Sequence, residues 1–155
     1  MTAQNVISQM EKRHALFGLF FAFHNRLQAA GDSFYEEITC KQFFLLACMN
    51  LYPDEAPTAN ELAGIMGCSR QNVKEILSSL ERKGFIRILK DEKDRRKQRI
   101  YLTEKMLHMA DKYHEKEVAF MERLYEGVEE EEVEQTYRIL AHMENNLKKI
   151  QGDGV

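Results

Sequence analysis

The order of local signals in the middle of the chain constrains the fold more than any other feature. Thr58 and Glu61 have the spacing of a capping box, which opens a short helix, and Gly67 begins a tight turn. Ser69 is a favourable N-cap for a second helix, which we expect to run to about residue 83 and to stop at Gly84. The sequence therefore predicts two short helices joined by a tight turn, with a further element after the second glycine.

That element is predicted to be a β-hairpin with a charged tip. Residues 85–90 and 98–103 form β-rich runs, and the seven residues between them are Asp91-Glu92-Lys93-Asp94-Arg95-Arg96-Lys97. Seven residues are many for a simple hairpin loop, so we expect the tip to project. We also expect an aspartate of the tip, Asp94 in particular, to orient a neighbouring arginine through a charge-assisted hydrogen bond.

The second helix is predicted to have one buried face and one polar face. Its apolar residues follow the i, i+3, i+4, i+7 pattern at Val73, Ile76, Leu77 and Leu80. The polar residues collect on the opposite face and its flanks, namely Gln71, Glu75, Ser78 and Arg82, with Arg70, Asn72 and Lys74 beside them.

Charge is strongly polarised along the chain. Residues 69–99 hold eleven Lys or Arg and five Asp or Glu, a balance of +6; the whole chain carries −3, so the remainder carries −9. Nine glutamates lie within residues 115–134. A basic segment attracts phosphates, while an acidic body keeps other surfaces away from a polyanion. Together with the polar helix face, this distribution predicts binding to double-stranded DNA.

The residue types fit that prediction. Arg and Gln make bidentate contacts to base edges, Ser donates or accepts, and Lys favours phosphate. We expect base readout from the first half of the second helix, and we expect Arg95 to reach a narrow minor groove, whose negative potential favours arginine. The candidate DNA contacts are Ser69, Arg70, Gln71, Asn72, Lys74, Ser78, Arg82, Asp94, Arg95, Arg96 and Lys97.

Helices are also predicted on both sides of this region. A long amphipathic helix is expected from about residue 3 to residue 29, with apolar positions that include Val6 and Ile7 and with Gly31 as a left-handed terminator. Thr39 and Gln42 fit another capping box. After the hairpin we expect a helix over residues 103–126, a break at residue 127, and a final helix with the apolar stripe Val133, Tyr137, Leu140, Met143, Leu147 and Ile150.

Composition limits the remaining possibilities. A chain of 155 residues, 44% hydrophobic, is expected to form one folded unit. Its polar start and the lack of a long apolar run favour a soluble, cytoplasmic protein with no membrane contact. Three cysteines without CxxC spacing favour reduced thiols over disulfides or structural zinc. The sequence contains no Gly-rich phosphate loop, HExxH or GxSxG motif, so we expect neither an enzyme nor a cofactor.

Several short motifs resemble, in their order, those of the multiple-antibiotic-resistance regulator (MarR) family. They are Ile38-Thr39-x-x-Gln42, Glu61-Leu62-Ala63, Ser69-Arg70-Gln71-Asn72-Val73, Leu80-Glu81-Arg82-Lys83-Gly84 and Asp94-Arg95-Arg96-x-x-Arg99-x-x-Leu102-Thr103-Glu104-Lys105. The family commonly has Gly where this chain has Met106, which favours a continuous helix there. The resemblance implies a mainly α winged helix-turn-helix fold with a small β-hairpin wing, in which Asp94 and Arg96 match the Asp-x-Arg wing motif.

The resemblance also implies a homodimer that binds a pseudo-palindromic operator and is usually released by a small ligand or an oxidant. We therefore predict an N-terminal dimerisation helix and linker at residues 1–37, a DNA-binding region at 38–103, and C-terminal dimerisation helices at 104–155. The predicted function is sequence-specific transcriptional repression. The alternative is a winged-helix protein-interaction module without sequence-specific DNA binding, and a preference for one duplex over a scrambled one distinguishes the two.

The aromatic cluster near the N-terminus has two interpretations. We interpret these rings as ordinary core, although a cleft beside them would suit a small apolar or aromatic effector. They are Phe17, Phe20, Phe21, Phe43 and Phe44.

We assign no sensing or metal-binding role to the cysteines and histidines. Cys40 lies near a helix N-terminus, where the dipole would lower its pKa, so it is the best oxidant-sensor candidate among the thiols; an incidental or buried cysteine is the preferred interpretation. His108 and His114 are six residues apart, on opposite faces of a helix, so we expect no metal site there.

Overall fold

The computed structural model describes residues 9–152 and has the order of elements that the sequence predicts. Within these residues it contains six helices and one antiparallel pair of strands, so the predicted mainly α fold with a β-hairpin wing is confirmed. The elements are α1 (Lys12–Asp32), α2 (Cys40–Met49), α3 (Ala59–Met66), α4 (Arg70–Arg82), β1 (Ile86–Lys90), β2 (Gln98–Leu102), α5 (Glu104–Leu124) and α6 (Glu130–Gly152).

The three predicted N-caps start the three central helices. The side chains of Thr39 and Gln42 each accept a hydrogen bond from the other residue's backbone N–H, both at 3.1 Å. Thr58 and Glu61 form the same reciprocal pair at the start of α3. The Ser69 hydroxyl accepts from the Asn72 N–H at 3.2 Å. Each cap satisfies a backbone donor that would otherwise be unpaired, and removing such a cap costs about 1 kcal/mol.

Glycines set the two turns around α4. Gly67 ends α3 at φ 62°, and Gly84 follows α4 at φ 80°, both in the left-handed region that disfavours side chains. After α4 the Phe85 N–H donates to the Leu80 carbonyl at 3.0 Å, which closes the helix and reverses the chain. The hairpin therefore starts at a defined angle from the end of α4.

The core lies beneath α4 and the hairpin. Val73, Leu77 and Leu80 are almost completely buried, and Ile76 is partly buried, so the predicted stripe is confirmed. The strands pair with Ile86 opposite Leu102 and Ile88 opposite Ile100. The other fully buried large apolar side chains include Leu45, Leu46, Leu62, Phe85, Ile86, Ile100 and Tyr113.

The N-terminal helix differs from its prediction at both ends. The predicted residues up to 8, with Val6 and Ile7, lie outside the described residues. The helix begins only at Lys12, because the Glu11 carboxylate accepts from two backbone N–H groups of the first turn. It also continues past Gly31, which therefore does not terminate it. A Cβ at Gly31 would lie 2.7 Å from the Cβ of Cys40, so close packing accounts for this glycine better than a turn does.

The prediction that the phenylalanine cluster is ordinary core is wrong for Phe17, Phe21 and Phe44. Phe17 and Phe21 are 64% and 63% exposed, and Phe44 is 49% exposed. Gly31 is the one fully buried residue of α1, because α2 covers only part of this helix. Phe43 is partly buried and stacks on Tyr35 at 5.0 Å, and Phe20 is half-buried. Periodicity placed these rings on a helix correctly but could not tell whether this chain covers them.

The chain divides into two compact units after His114. The first contains α1 to α4, the hairpin and the start of α5. In the second, α5 ends at Leu124, Gly127 has φ 77°, and α6 begins at Glu130. The apolar stripe predicted for α6 is present but not buried: Tyr137 is 75% exposed and Leu147 58%. Within residues 9–152, each helix is too short or too polar to cross a lipid bilayer.

Candidate nucleic-acid interface

The outward face of α4 is open to solvent. The core fixes the opposite face through Val73, Leu77 and Leu80, so the polar side chains must point outward. A hydrogen bond joins the Gln71 amide to the Glu75 carboxylate at 3.4 Å along this face. All seven candidate residues at this helix are exposed: Ser69, Arg70, Gln71, Asn72, Lys74, Ser78 and Arg82.

A groove of about 360 Å³ lies between α4 and the hairpin. Four exposed cations line it, Arg70 and Lys74 from α4 and Arg96 and Lys97 from the tip. Like charges gathered around a concave surface raise the local positive potential. We call this feature the α4–wing groove; its other lining residues are Thr58, Ala59, Asn60, Glu61, Leu77, Ile88, Gln98, Arg99 and Ile100.

Asp91 organises the tip of the hairpin. One of its carboxylate oxygens accepts from the backbone N–H groups of Lys93 and Asp94, at 2.8 and 2.7 Å. The other accepts from Nε of Arg99 at 2.6 Å. These hydrogen bonds, that of Arg99 above all, lower the pKa of Asp91 to about 2. The Asp91 carboxylate is therefore charged at neutral pH and shapes the loop.

Asp94 orients Arg96. Its Oδ1 accepts from both the backbone N–H and Nε of Arg96, each at 3.1 Å, and the same hydrogen bonds lower the pKa of Asp94. The Arg96 side chain is nevertheless 91% exposed, so its guanidinium extends into solvent while its Nε pairs with Asp94. Arg95 and Lys97 are exposed beside it. The predicted pairing of Asp94 with a neighbouring arginine is thus present, and the arginine is Arg96.

Sequence reasoning missed the role of Arg99, which it named only within the wing motif and in the count of basic residues. Its side chain is 9% exposed and lies among the carboxylates of Asp91, Glu55 and Glu61. Alternation along β2 could not reveal this, because neighbouring residues 99 and 100 are both buried. One sequence signal could have indicated a partner for Arg99. It is the carboxylate of Asp91, which lies just beyond the last paired residues of the hairpin, Lys90 and Gln98.

The pKa expected for Cys40 is wrong in direction. Burial, followed by the charge of Asp32, raises the pKa of this thiol. The helix N-terminus does not prevail, because the Cys40 N–H is already bound by an Asp32 carboxylate oxygen at 2.6 Å. A raised pKa reduces the thiolate fraction of Cys40, which is the opposite of what an oxidant-sensing thiol requires. His108 and His114 are exposed, and residues 9–152 contain no group of three or more His, Cys, Asp or Glu arranged to hold a metal.

Comparison with known proteins finds a similarity to the MarR family over the region that contains most of the groove. The MarR family model matches residues 38–97. A MarR/EmrR family transcriptional regulator from Acinetobacter sp. has 17% identity and a TM-score of 0.78, with 90% of this chain and 99% of that chain covered. The S. aureus MepR–DNA complex has 24% identity and a TM-score of 0.73, covering 83% and 94%. The PcaV regulator from Streptomyces coelicolor, in complex with its natural ligand, has 17% identity and a TM-score of 0.70, covering 85% and 91%. The shared fold shows that the chain has the winged helix-turn-helix architecture of these regulators, and the matched region shows that residues 38–97 are similar to the MarR family.

Proposed function

We propose that this protein is a homodimeric, sequence-specific DNA-binding repressor. The observation that carries the proposal is the α4–wing groove, where four exposed cations from two elements converge beside an open polar helix face. A winged helix binds DNA when its second helix enters the major groove and its wing lies along the neighbouring groove. The MepR neighbour was solved as a DNA complex, which supports the same use of the fold here.

Within this proposal, α4 reads bases and the wing reads groove shape. Gln71 and Asn72 lie exposed in the first turn of α4, where side chains of a recognition helix reach base edges. Arg70 and Lys74 on the groove side would bind phosphates. Arg95 and Arg96 would extend to the adjacent minor groove, and Asp94 restricts Arg96 before binding, which reduces the entropy lost on association.

The homodimer is proposed from apolar surface that the chain itself leaves uncovered. Exposed large apolar side chains occur on several sides of α1, including Leu16, Phe17, Leu19, Phe21 and Phe23. The middle of this helix, residues 15–23, is apolar throughout, and a helical segment that is apolar on all sides is normally buried. The stripe of α6 is exposed as well. A second copy covering both helices would bury this surface and would pair two α4 helices for a pseudo-palindromic site.

Release by a small apolar or aromatic ligand completes the proposal. The PcaV neighbour was solved with its natural ligand, which supports a ligand-responsive regulator on this fold. Since the pKa of Cys40 is raised, we favour a ligand over an oxidant. We propose no catalytic activity, and we place the protein in the cytoplasm with its DNA target.

Selection of bound sequences from a random duplex pool tests the proposal directly. We expect a pseudo-palindromic motif, bound at least 10³-fold more tightly than a scrambled duplex, as is typical of specific regulators. Repeating the selection with hydrogen peroxide, zinc and a panel of aromatic acids tests release, and a promoter–reporter assay tests repression. Equal binding to the motif and to scrambled DNA would instead favour the protein-interaction module, in which the basic face meets an acidic partner.

A further inference from the structure

Arg99 is a cation of the wing that is not available to contact DNA. Its side chain is 9% exposed, and every guanidinium nitrogen has a partner within the protein. Nε donates to Asp91 Oδ2 at 2.6 Å, Nη1 donates to the Ala56 carbonyl at 2.9 Å, and Nη2 lies 2.8 Å from Glu55 Oε1. A planar guanidinium with five N–H groups in a fixed fork is suited to joining several acceptors at once.

The partners of Arg99 belong to three different parts of the first unit. Asp91 starts the wing tip, Glu55 and Ala56 lie in the loop before α3, and Glu61 caps α3 with its Oε2 at 3.8 Å from Nη1. The backbone strengthens the same junction, because the Ile100 N–H donates to the Pro57 carbonyl at 2.9 Å. Arg99 therefore links the wing to the helix that precedes the turn into α4.

The link continues from Asp91 to the exposed cations. Asp91 accepts a hydrogen bond from the backbone N–H of Asp94, and the Asp94 carboxylate accepts one from Nε of Arg96. A chain of contacts therefore runs from α3 through Arg99, Asp91 and Asp94 to Arg96 in the α4–wing groove. Displacement of Arg99 would remove this side-chain link between α3 and the wing tip.

We propose that Arg99 and Asp91 are positioning residues for DNA binding: they hold the wing tip against the loop before α3, so that wing and α4 meet DNA as one preformed surface. The inference rests on the proposed function. A preformed surface binds more tightly than a mobile one with the same charges, because less conformational entropy is lost on binding.

Asp91→Asn separates positioning from simple electrostatics. The variant removes a negative charge from a surface that faces a polyanion, so electrostatics alone predicts tighter DNA binding. Asn also keeps one acceptor oxygen for the tip N–H groups, but its amide cannot pair with Arg99 as a carboxylate does. We expect weaker binding to the selected duplex, on the order of tenfold, within the range measured for residues that act together.

Glu92→Gln is the matched control, because it makes the same charge change at the adjacent, exposed residue. We expect it to bind as well as the parent or slightly better. Arg99→Lys is the second variant. It keeps the positive charge but loses the forked guanidinium that joins several acceptors, so we expect it to weaken binding to the selected duplex as Asp91→Asn does. Thermal unfolding of each variant identifies any that fail to fold, and Arg99→Lys tests the link independently if Asp91→Asn is one of them.

A double-mutant cycle with Arg96→Ala distinguishes positioning from a general structural effect. If Asp91 acts through the wing, Asp91→Asn should cost less once Arg96 is absent, because the loosened tip then has one cation fewer to misplace. An equal loss in both backgrounds, or binding by Asp91→Asn and Arg99→Lys as tight as by Glu92→Gln, would overturn the inference. Failure of the proposed function looks different, since the parent itself would then not distinguish the selected duplex from a scrambled one.

Discussion

Truncation of Phe17 tests the proposed dimer, and its size can be worked from the structure. Burying a whole phenylalanine side chain is worth about 1.5 to 3 kcal/mol. Phe17 is 64% exposed in the single chain, so covering the remainder would contribute about 1 to 2 kcal/mol per ring. A symmetric dimer contains the ring twice, which gives about 2 to 4 kcal/mol per dimer. Phe17→Ala should therefore raise the dimer dissociation constant roughly 30-fold to 700-fold.

Sedimentation equilibrium over a range of protein concentrations measures this change. The control is Tyr101→Ala, because Tyr101 is an aromatic residue of the wing that is 44% exposed but lies outside the proposed dimer surface. We expect that control to leave the dissociation constant unchanged. Since Phe17 is mostly exposed in the single chain, its truncation should not unfold the monomer. An unchanged dimer constant for Phe17→Ala, in a correctly folded variant, would refute the assignment of α1 to the interface.

Three further predictions concern the DNA-binding surface. Gln71→Ala should cost about 1 to 3 kcal/mol on the selected duplex and blunt discrimination at one base pair, which competition with single-base variants would measure; equal losses on all duplexes would contradict a role in base readout. Arg95→Ala and Arg96→Ala should weaken binding to all duplexes and flatten the dependence of affinity on salt concentration, and an unchanged affinity for both would remove the wing from the interface. The pKa of Asp91 is lowered from 3.8 to about 2, so its pairing stabilises the fold fully above pH 3.8 and loses that effect as the pH falls to about 2. The difference in unfolding free energy between the parent and Asp91→Asn should shrink over that interval, and a constant difference would mean that Asp91 does not stabilise the fold through its charge.

Helix caps, glycine turns and apolar spacing predicted much of this fold, because each depends on interactions between residues that are close in the sequence. The caps at Thr39, Thr58 and Ser69 depend on hydrogen bonds that reach three residues along the chain, and sequence spacing contains that information. The turns at Gly67 and Gly84 depend on backbone conformations that only glycine adopts easily. The spacing of apolar side chains in α4 predicted its buried face for the same reason.

The errors arose where long-range packing decided the outcome. Gly31 looks like a helix terminator in sequence, but the approach of Cys40, nine residues later, accounts for it. The same approach buries the Cys40 thiol and raises its pKa, against the effect of the helix end. Phe17 has the spacing of a core residue, yet its side chain is 64% exposed. Short-range patterns contain none of these distances.

Charge counting illustrates the same limit at the candidate site. Residues 69–99 carry a balance of +6, but that number treats all their charges alike. Arg99 is buried among carboxylates and offers no charge to a ligand, while Asp91 and Asp94 are each committed to an arginine. What remains for a polyanion is the set of exposed cations that the α4–wing groove brings together. The acidic residues Asp91 and Asp94 therefore orient basic side chains near the tip, and a chain with a net negative charge can present a locally positive surface.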